Sequence, residues 1–216
     1  MLSGILVKVI GACFSIPLAN LYGADGNDIF ISAYYVYTAM YVISSAGLPV
    51  AVSKMVAESR ALGRGAEIRR IARVSMTAFV LLGAALSLGM MLSVDTLCRF
   101  VGGSCRYAIL TVAPTIFFTC IVSAVRGYYQ GLSNMVPTAV SQIIEAMGKL
   151  LFGLGLARYL MARGYSLDIV VAGAIGGVTL GTVLSAAYVV FHRLRDRKTR
   201  KDLPAGGTCR GDGEIL

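Results

Sequence analysis

Charged side chains lie inside stretches that are otherwise almost entirely apolar. Because a charge in hydrocarbon costs about 3 kcal/mol or more, such residues normally face a bundle interior or a wet cavity, where they can bind ions or charged ligands. The ionisable residues within these stretches or near their ends are Lys8, Lys54, Glu58, Arg126, Glu145 and Lys149. For Lys8, Lys54, Glu58 and Arg126 the alternative is a structural one, in which the side chain snorkels to water at the membrane surface.

One polar stripe combines these residues. Gln142, Glu145 and Lys149 occur at i, i+3 and i+7, so on a helix they share one face and predict a cavity wall. Glu145 precedes Lys149 by four residues, the best order for a helical ion pair, so structural pairing explains the two as well as a transport role does. Arg126 and Gln130 are also four apart and could face the same space. Such a lumen would be cationic on balance and would suit a phosphate headgroup.

The elements that must position these side chains are membrane-spanning helices. The composition is 56% hydrophobic and only 14% charged, and crossing about 30 Å of hydrocarbon takes about 20 residues of helix. The chain is predicted to be an all-α, polytopic membrane bundle over residues 1–192, followed by a basic, disordered cytoplasmic tail over residues 193–216. About six transmembrane helices are predicted, at roughly 2–22, 29–57, 70–94, 107–128, 136–161 and 168–191.

The net charge of +9 does not indicate nucleic-acid binding, because no basic patch is interleaved with aromatic residues. The basic residues gather instead at the ends of apolar stretches, where an excess marks the cytoplasmic side. With the N-terminus inside, the outer loops hold only Arg99, Arg106, Arg158 and Arg163. The inner loops and tail hold Arg60, Arg64, Arg69, Arg70, Arg73, Arg126, Arg193, Arg195, Arg197, Lys198, Arg200 and Lys201. Both termini are therefore predicted to be cytoplasmic.

Enzymatic and metal chemistry have no motif in this sequence. Five cysteines without a CxxC spacing and a single histidine, His192, provide neither a metal-ligand set nor a disulfide framework. There is no Gly-rich phosphate loop and no Ser/His/Asp set. We expect no metal, no cofactor and no enzyme activity.

Small residues and prolines predict how the helices pack. Gly173, Gly177, Gly181 and Ser185 recur every four residues, a stripe that lets two helices approach closely. The prolines that fall within predicted spans can each kink a helix, and they are Pro17, Pro49 and Pro114.

Three stretches carry a resemblance to a known family: IPLANLYGADG, SAGLPVAVSK and RGYYQGLSNMVPTAVSQIIE. Together they resemble the bacterial polysaccharide-biosynthesis and stage V sporulation protein B group, which belongs to the superfamily of lipid II flippases and multidrug and toxin extrusion transporters. The resemblance covers roughly residues 4 to 192. It implies a flippase of the bacterial cytoplasmic membrane that carries undecaprenyl-pyrophosphate-linked saccharide, such as lipid II or a polysaccharide repeat unit, to the outer leaflet by alternating access.

The resemblance also implies roles for particular residues. By their place in the chain, Lys8, Lys54, Arg126 and Lys149 become candidates for holding the pyrophosphate, and Gln142 and Glu145 lie beside them. The segment with Gly127, Gly131 and Pro137 resembles the cytoplasmic turn between the fourth and fifth helices. There the glycines would permit a tight bend and the proline would start the next helix.

Length separates this chain from the family. Members normally have about twice as many helices in two lobes, so the chain corresponds to the N-terminal lobe, as from a truncated or split gene. A second lobe on a partner chain or a second copy of the chain could complete it. Two further functions stay open: a cation-coupled multidrug exporter, which a single acid among several cations disfavours, and a membrane scaffold or fragment that does not transport.

Overall fold

Helices and short turns make up the part of the chain described by the computed structural model, which covers residues 9–11, 13–14, 17, 30–31, 34–35, 37–39, 41–42, 47–101 and 106–201. No strand occurs in these ranges, and the predicted all-α fold is confirmed. The helices are α1 (Leu48–Ala61), α2 (Gly65–Leu92), α3 (Val94–Val101), α4 (Arg106–Gly131), α5 (Val136–Gly148), a π-helical segment (Lys149–Gly153), α6 (Leu154–Ala162) and α7 (Leu167–Lys201).

Four helical stretches of the described chain are long and apolar enough to cross a membrane: Gly65–Leu92, Arg106–Gly131, Val136–Ala162 and Leu167–Asp196. They coincide with the third to sixth predicted spans. The first two predicted spans lie largely outside the described residues, although the described positions between 9 and 42 are helical. The C-terminal end of the second predicted span lies in α1. Its Pro49 lies in the first turn after a bend at Gly47, where a missing N–H costs nothing, so the predicted kink at Pro49 is replaced by a helix start.

The centre of the described bundle is α4. In its most apolar stretch 67% of the residues are buried, against 22% in α2, so α4 packs on several sides while α2 keeps one face for the core. Helices α1, α2 and α7 all pack against it. Ile109, Ala113, Ile116 and Cys120 are completely buried. The ion-carrying end of α4 is thus held by three neighbouring helices.

Pro114 lies inside α4, and the helix continues through it. Hydroxyl groups surround this point: Thr179 Oγ1 of α7 donates to the Thr111 carbonyl oxygen at 2.9 Å and lies 2.7 Å from Oγ1 of Thr115. A proline inside a helix removes the backbone donor to the carbonyl four residues earlier, here that of Leu110, which precedes Thr111. The hydroxyl contact therefore joins α7 to α4 in the turn that Pro114 weakens, on the carbonyl next to the one that loses its helical donor.

The small-residue stripe of α7 faces the α5–α6 rod. A Cβ added to Gly177 would strike backbone atoms of Gly153, and one added to Gly181 would lie 2.8 Å from the Glu145 carbonyl oxygen. Gly148 meets Gly181 from the opposite side. Close contact between backbones gives strong van der Waals packing in a membrane, where no hydrophobic effect joins the helices.

The rod changes its hydrogen-bonding pattern where it meets this stripe. Between α5 and α6, Lys149–Gly153 forms one turn of π-helix. Such π-bulges are rare and occur often at functional sites. Gly153 packs under Gly177 at the end of this turn, so the irregular turn is fixed by the neighbouring helix.

The turn between α4 and α5 differs from the expectation of a glycine-permitted bend. Gly127 and Gly131 lie within α4, and the residue with positive φ is Ser133, at φ 59°. The glycines instead allow close approach, because a Cβ at Gly127 would lie 2.8 Å from the Pro49 carbonyl oxygen and one at Gly131 would lie 2.6 Å from that of Ser53. Pro137 does lie in the first turn of α5, as expected.

The predicted boundary between lobe and tail, after residue 192, falls inside α7, which runs to Lys201. The basic residues just beyond the boundary are therefore helical, in contrast to the expected disorder. Residues 202–216 lie outside the described part, and the division into lobe and tail stays a prediction.

Candidate functional site

Three of the predicted site residues meet in one ion cluster. Nη2 of Arg126 on α4 lies 3.0 Å from Oε2 of Glu145 on α5, and Nζ of Lys149 lies 3.0 Å from Oε1 of the same carboxylate. The Glu145–Lys149 pair predicted from the sequence spacing is confirmed. With all three groups ionised, the cluster carries one net positive charge.

Serine side chains from two helices fix the guanidinium group. Arg126 Nε donates to Oγ of Ser141 at 2.9 Å, and Nη2 donates to Oγ of Ser185 at 3.2 Å. Ser185 Oγ in turn donates to the Ser141 carbonyl oxygen at 3.0 Å, and both serines are fully buried. The Arg126 side chain therefore has one defined orientation between α5 and α7.

The cluster is mostly shielded from solvent. The side chains of Arg126 and Glu145 are 13% and 14% exposed, and that of Lys149 is 28% exposed. In such surroundings removal of one partner leaves an uncompensated charge, which is far more costly than at the surface. Within the described part of the chain, Nη1 of Arg126 makes no hydrogen bond. This amino group and Lys149, the more accessible cation, are the parts of the cluster that could contact a second anion.

Backbone packing is what allows these three side chains to converge. Gly181 of α7 faces the Glu145 carbonyl oxygen and the Lys149 amide nitrogen, and a Cβ there would lie 2.8 Å from each. Because α7 comes this close to α5, Ser185, one turn further along, reaches Arg126. The stripe that predicted close packing thus also places a hydrogen-bonding partner.

The other predicted site residues are not part of the cluster. Lys54 is exposed on α1 and forms no ion pair within the described ranges, and Gln142 is half-buried without a hydrogen bond to any described residue. Lys8 lies outside the described residues. Because Gly127 and Gly131 hold α1 directly against the end of α4, Lys54 and Arg126 lie on adjacent helices.

A second polar network, which the sequence interpretation missed, lies at the last turns of α4 and α7. The hydroxyl of the buried Tyr129 donates to Oδ2 of Asp196 at 2.7 Å and lies 3.0 Å from Nδ1 of His192. His192 and Asp196 are four residues apart on α7, 3.3 Å from each other. The four-residue spacing of His192 and Asp196 was the signal in the sequence. It did not indicate that Tyr129, on another helix, is their common partner.

Arginine side chains link neighbouring elements at the same end of the bundle. Arg193 of α7 donates from Nη2 to the Ala72 carbonyl oxygen of α2 at 2.9 Å, and its guanidinium lies 5.1 Å from the centre of the Tyr128 ring. Arg60 of α1 donates to the Leu132 carbonyl oxygen in the turn after α4. In the described part of the chain, no group of three or more His, Cys, Asp or Glu side chains is arranged to hold a metal ion.

Comparison with known proteins gives a consistent result. A family model described as polysaccharide biosynthesis protein matches residues 1–204. The chain is 28% identical over 189 residues to the lipid II flippase MurJ of Bacillus subtilis (strain 168), covering 83% of this chain and 34% of that protein. It is 26% identical over 203 residues to stage V sporulation protein B of the same organism, covering 92% of this chain and 39% of that protein.

A third relative, the uncharacterized membrane protein YabM of Bacillus subtilis, is 27% identical over 203 residues, covering 94% of this chain and 37% of that protein. The chain thus spans little more than a third of the length of these relatives. No solved structure matches it significantly.

Proposed function

Because the chain belongs to the polysaccharide biosynthesis protein family and is a multi-pass bacterial membrane protein, we propose that it takes part in flipping undecaprenyl-pyrophosphate-linked saccharide across the cytoplasmic membrane. The substrate is a lipid II-like molecule or a polysaccharide repeat unit, moved from the inner to the outer leaflet by alternating access. One of the relatives is named a lipid II flippase and another a sporulation protein, which supports a lipid-linked cell-wall saccharide.

The observation that carries this proposal is the shared carboxylate of the ion cluster. Two cations, Arg126 and Lys149, meet a single Glu145 inside an apolar bundle, so positive charge is in excess there. A pyrophosphate offers several negatively charged oxygens, and guanidinium and ammonium groups bind such oxygens well. The excess cation explains why an anionic headgroup would enter this part of the membrane.

Lys54 is the second cationic element of the proposed path. It is exposed on α1 and is not neutralised by any described carboxylate, and α1 adjoins the end of α4 that bears Arg126. We place Lys54 and Lys8 on the wall that faces the substrate, with both chain termini in the cytoplasm. We propose that a second copy of this chain supplies the opposite wall.

Export of cationic drugs coupled to cations is less well supported. Such a mechanism needs an available carboxylate, whereas both oxygens of Glu145 are already held by cations. A scaffold without transport is the other alternative. The transport experiment separates the scaffold from the flippase.

The test is movement of a fluorescent undecaprenyl-pyrophosphate saccharide across liposomes that contain the purified chain. We expect transport by the natural sequence, a loss of about tenfold or more in Arg126→Ala and partial recovery in Arg126→Lys, because one charge-assisted contact is worth about 1.5–3 kcal/mol. Arg69→Ala is the matched control, since Arg69 is exposed at the start of α2, outside the cluster.

Two results would contradict the proposal. If the natural chain is folded and inserted but moves no lipid, this chain does not transport alone and the scaffold becomes the better interpretation. If transport occurs but Arg126→Ala and Arg69→Ala reduce it equally, the cluster is not the headgroup site.

A further inference from the structure

A row of aromatic rings lies on one helical face next to the ion cluster. The rings of Phe30, Tyr34, Tyr37 and Tyr41 follow one another with centroids 5.8, 5.7 and 5.8 Å apart. Spacings of four, three and four residues keep them on one side of a helix. We call Tyr34, Tyr37 and Tyr41 the tyrosine ladder. The row including Phe30 rises about 16 Å along the helix, roughly half of a bilayer core.

Two members of the ladder have properties that helix packing does not explain. Tyr34 is 46% exposed, so part of its ring has no protein contact. Tyr37 is only 6% exposed, and its hydroxyl, which is not itself fully enclosed, has no hydrogen-bonding partner among the described residues. A buried tyrosine hydroxyl normally has one. A stripe that served packing alone would bury the Tyr34 ring and give the Tyr37 hydroxyl a protein partner.

The ladder adjoins the cationic cluster. The Phe30 ring at the start of the row lies 6.4 Å from the ring of Phe14, and the Phe14 ring packs against Gly153, the last residue of the π-helical turn that begins at Lys149. The charge of Lys149 also acts on Tyr37. The half-open ring, the hydroxyl without a protein partner and the more accessible cation of the cluster therefore lie on adjoining helical segments. This combination offers one apolar flat surface, one hydrogen-bonding group and one positive charge to the same ligand.

We propose that the tyrosine ladder is a saccharide subsite, an inference that rests on the proposed flippase function. The C–H face of a pyranose ring is apolar and packs against the electron-rich face of an aromatic ring, while the hydroxyl groups at its rim need polar partners. In this arrangement the sugar stacks on Tyr34 and one of its hydroxyls bonds to Tyr37. Its pyrophosphate lies towards Lys149 and the free Nη1 amino group of Arg126.

The chain contains no tryptophan, which makes a direct test possible. Tyr34→Trp introduces a single fluorescent reporter into the ladder while keeping an aromatic face. The purified variant in lipid nanodiscs is titrated with undecaprenyl pyrophosphate carrying a disaccharide and, separately, with undecaprenyl pyrophosphate alone. We expect the saccharide-bearing lipid to change the reporter emission and to bind about tenfold more tightly, a difference of about 1.4 kcal/mol.

Removal of the ladder groups should abolish the preference for the saccharide. Affinities of Tyr34→Leu and Tyr37→Phe are measured by displacement of a fluorescent lipid, and each should bind the saccharide-bearing lipid about as weakly as the bare pyrophosphate lipid. Tyr35→Leu is the matched control, because Tyr35 is the adjacent residue, is 71% exposed and lies off the ladder. Thermal unfolding of each variant verifies that it folds.

The outcomes separate this inference from the function on which it rests. Equal binding of both lipids by the natural chain, or an unchanged preference in Tyr34→Leu and Tyr37→Phe, would overturn the saccharide subsite and leave pyrophosphate-lipid binding intact. If the natural chain binds neither lipid, the proposed substrate class is wrong and the subsite falls with it.

Discussion

Nη2 of Arg126 lies 3.0 Å from Oε2 of Glu145, which joins the C-terminal part of α4 to the middle of the α5–α6 rod. The other oxygen of that carboxylate holds Lys149. One acidic group therefore controls two properties at once: it stabilises the contact between two helices and it sets the charge that an approaching anion meets.

Glu145→Ala should destabilise the chain more than any other single charge deletion in the cluster, because it leaves both Arg126 and Lys149 without a counter-charge. We expect a loss of about 3–5 kcal/mol in the free energy of unfolding. Unfolding in mixed detergent micelles, followed by circular dichroism, measures it. The control is Glu67→Ala, which breaks an exposed pair with Arg64 and should cost less than about 1 kcal/mol. Similar losses in the two variants would mean that the Glu145 cluster is effectively solvated.

Gly177→Ala should weaken the contact between α7 and the α5–α6 rod, since the new methyl group would overlap backbone atoms of Gly153. Overpacking of this kind costs about 1–3 kcal/mol. Gly155→Ala provides the matched control, because nothing lies near a Cβ at that exposed position and alanine is the better helix former by up to about 1 kcal/mol. If the thermal midpoints of the two variants move in the same direction, the close backbone contact is not formed.

Ser133→Gly should stabilise the turn between α4 and α5, because Ser133 has φ of 59° and glycine adopts that conformation without strain. We expect a gain of up to about 1 kcal/mol, and for Ser133→Val a loss of about 1–2 kcal/mol, since a β-branched residue fits the left-handed region poorly. Chemical unfolding curves of the two variants give the comparison. A more stable valine variant would argue against this backbone conformation.

Tyr129→Phe should lower the stability of the end of the bundle where α4 and α7 terminate, because it removes a hydroxyl that donates to the Asp196 carboxylate. A hydrogen bond to a charged group contributes about 1.5–3 kcal/mol. Tyr128→Phe deletes the neighbouring hydroxyl but keeps the ring that contacts Arg193, so it should change stability by about 0.5 kcal/mol or less. Hydrogen exchange at the end of α7 locates the effect, and equal protection in both variants would contradict it.

Local spacing was enough to predict some of these features. Four-residue separation predicted the Glu145–Lys149 pair, and the periodic small residues of α7 marked the face that meets Gly148 and Gly153. Apolar length alone predicted the four spans of the described chain. All of these depend on one helix at a time, where the 3.6-residue repeat fixes which side chains share a face.

Features that depend on how helices rotate against each other could not be predicted in this way. The four-residue spacing suggested that Arg126 and Gln130 face the same space. The partners of Arg126 in the structure, Glu145, Ser141 and Ser185, come from other helices. The family resemblance implied that Gly127 and Gly131 are turn residues. In the structure they are contact residues, because α1 packs directly against them. The residue with a left-handed backbone conformation in the turn is Ser133.

The π-helical turn Lys149–Gly153 gives the rod two different angular registers. An α-helix advances about 100° per residue, and one wide turn shifts everything after it relative to everything before it. The half that carries Glu145 and Lys149 faces the cluster in one register, and the half that buries Ala157 faces the core in another. A deletion of one residue within this turn would restore a single register, and no rotation of the rod could then satisfy both halves. The number of residues in this turn is therefore constrained more strongly than the identity of any one side chain.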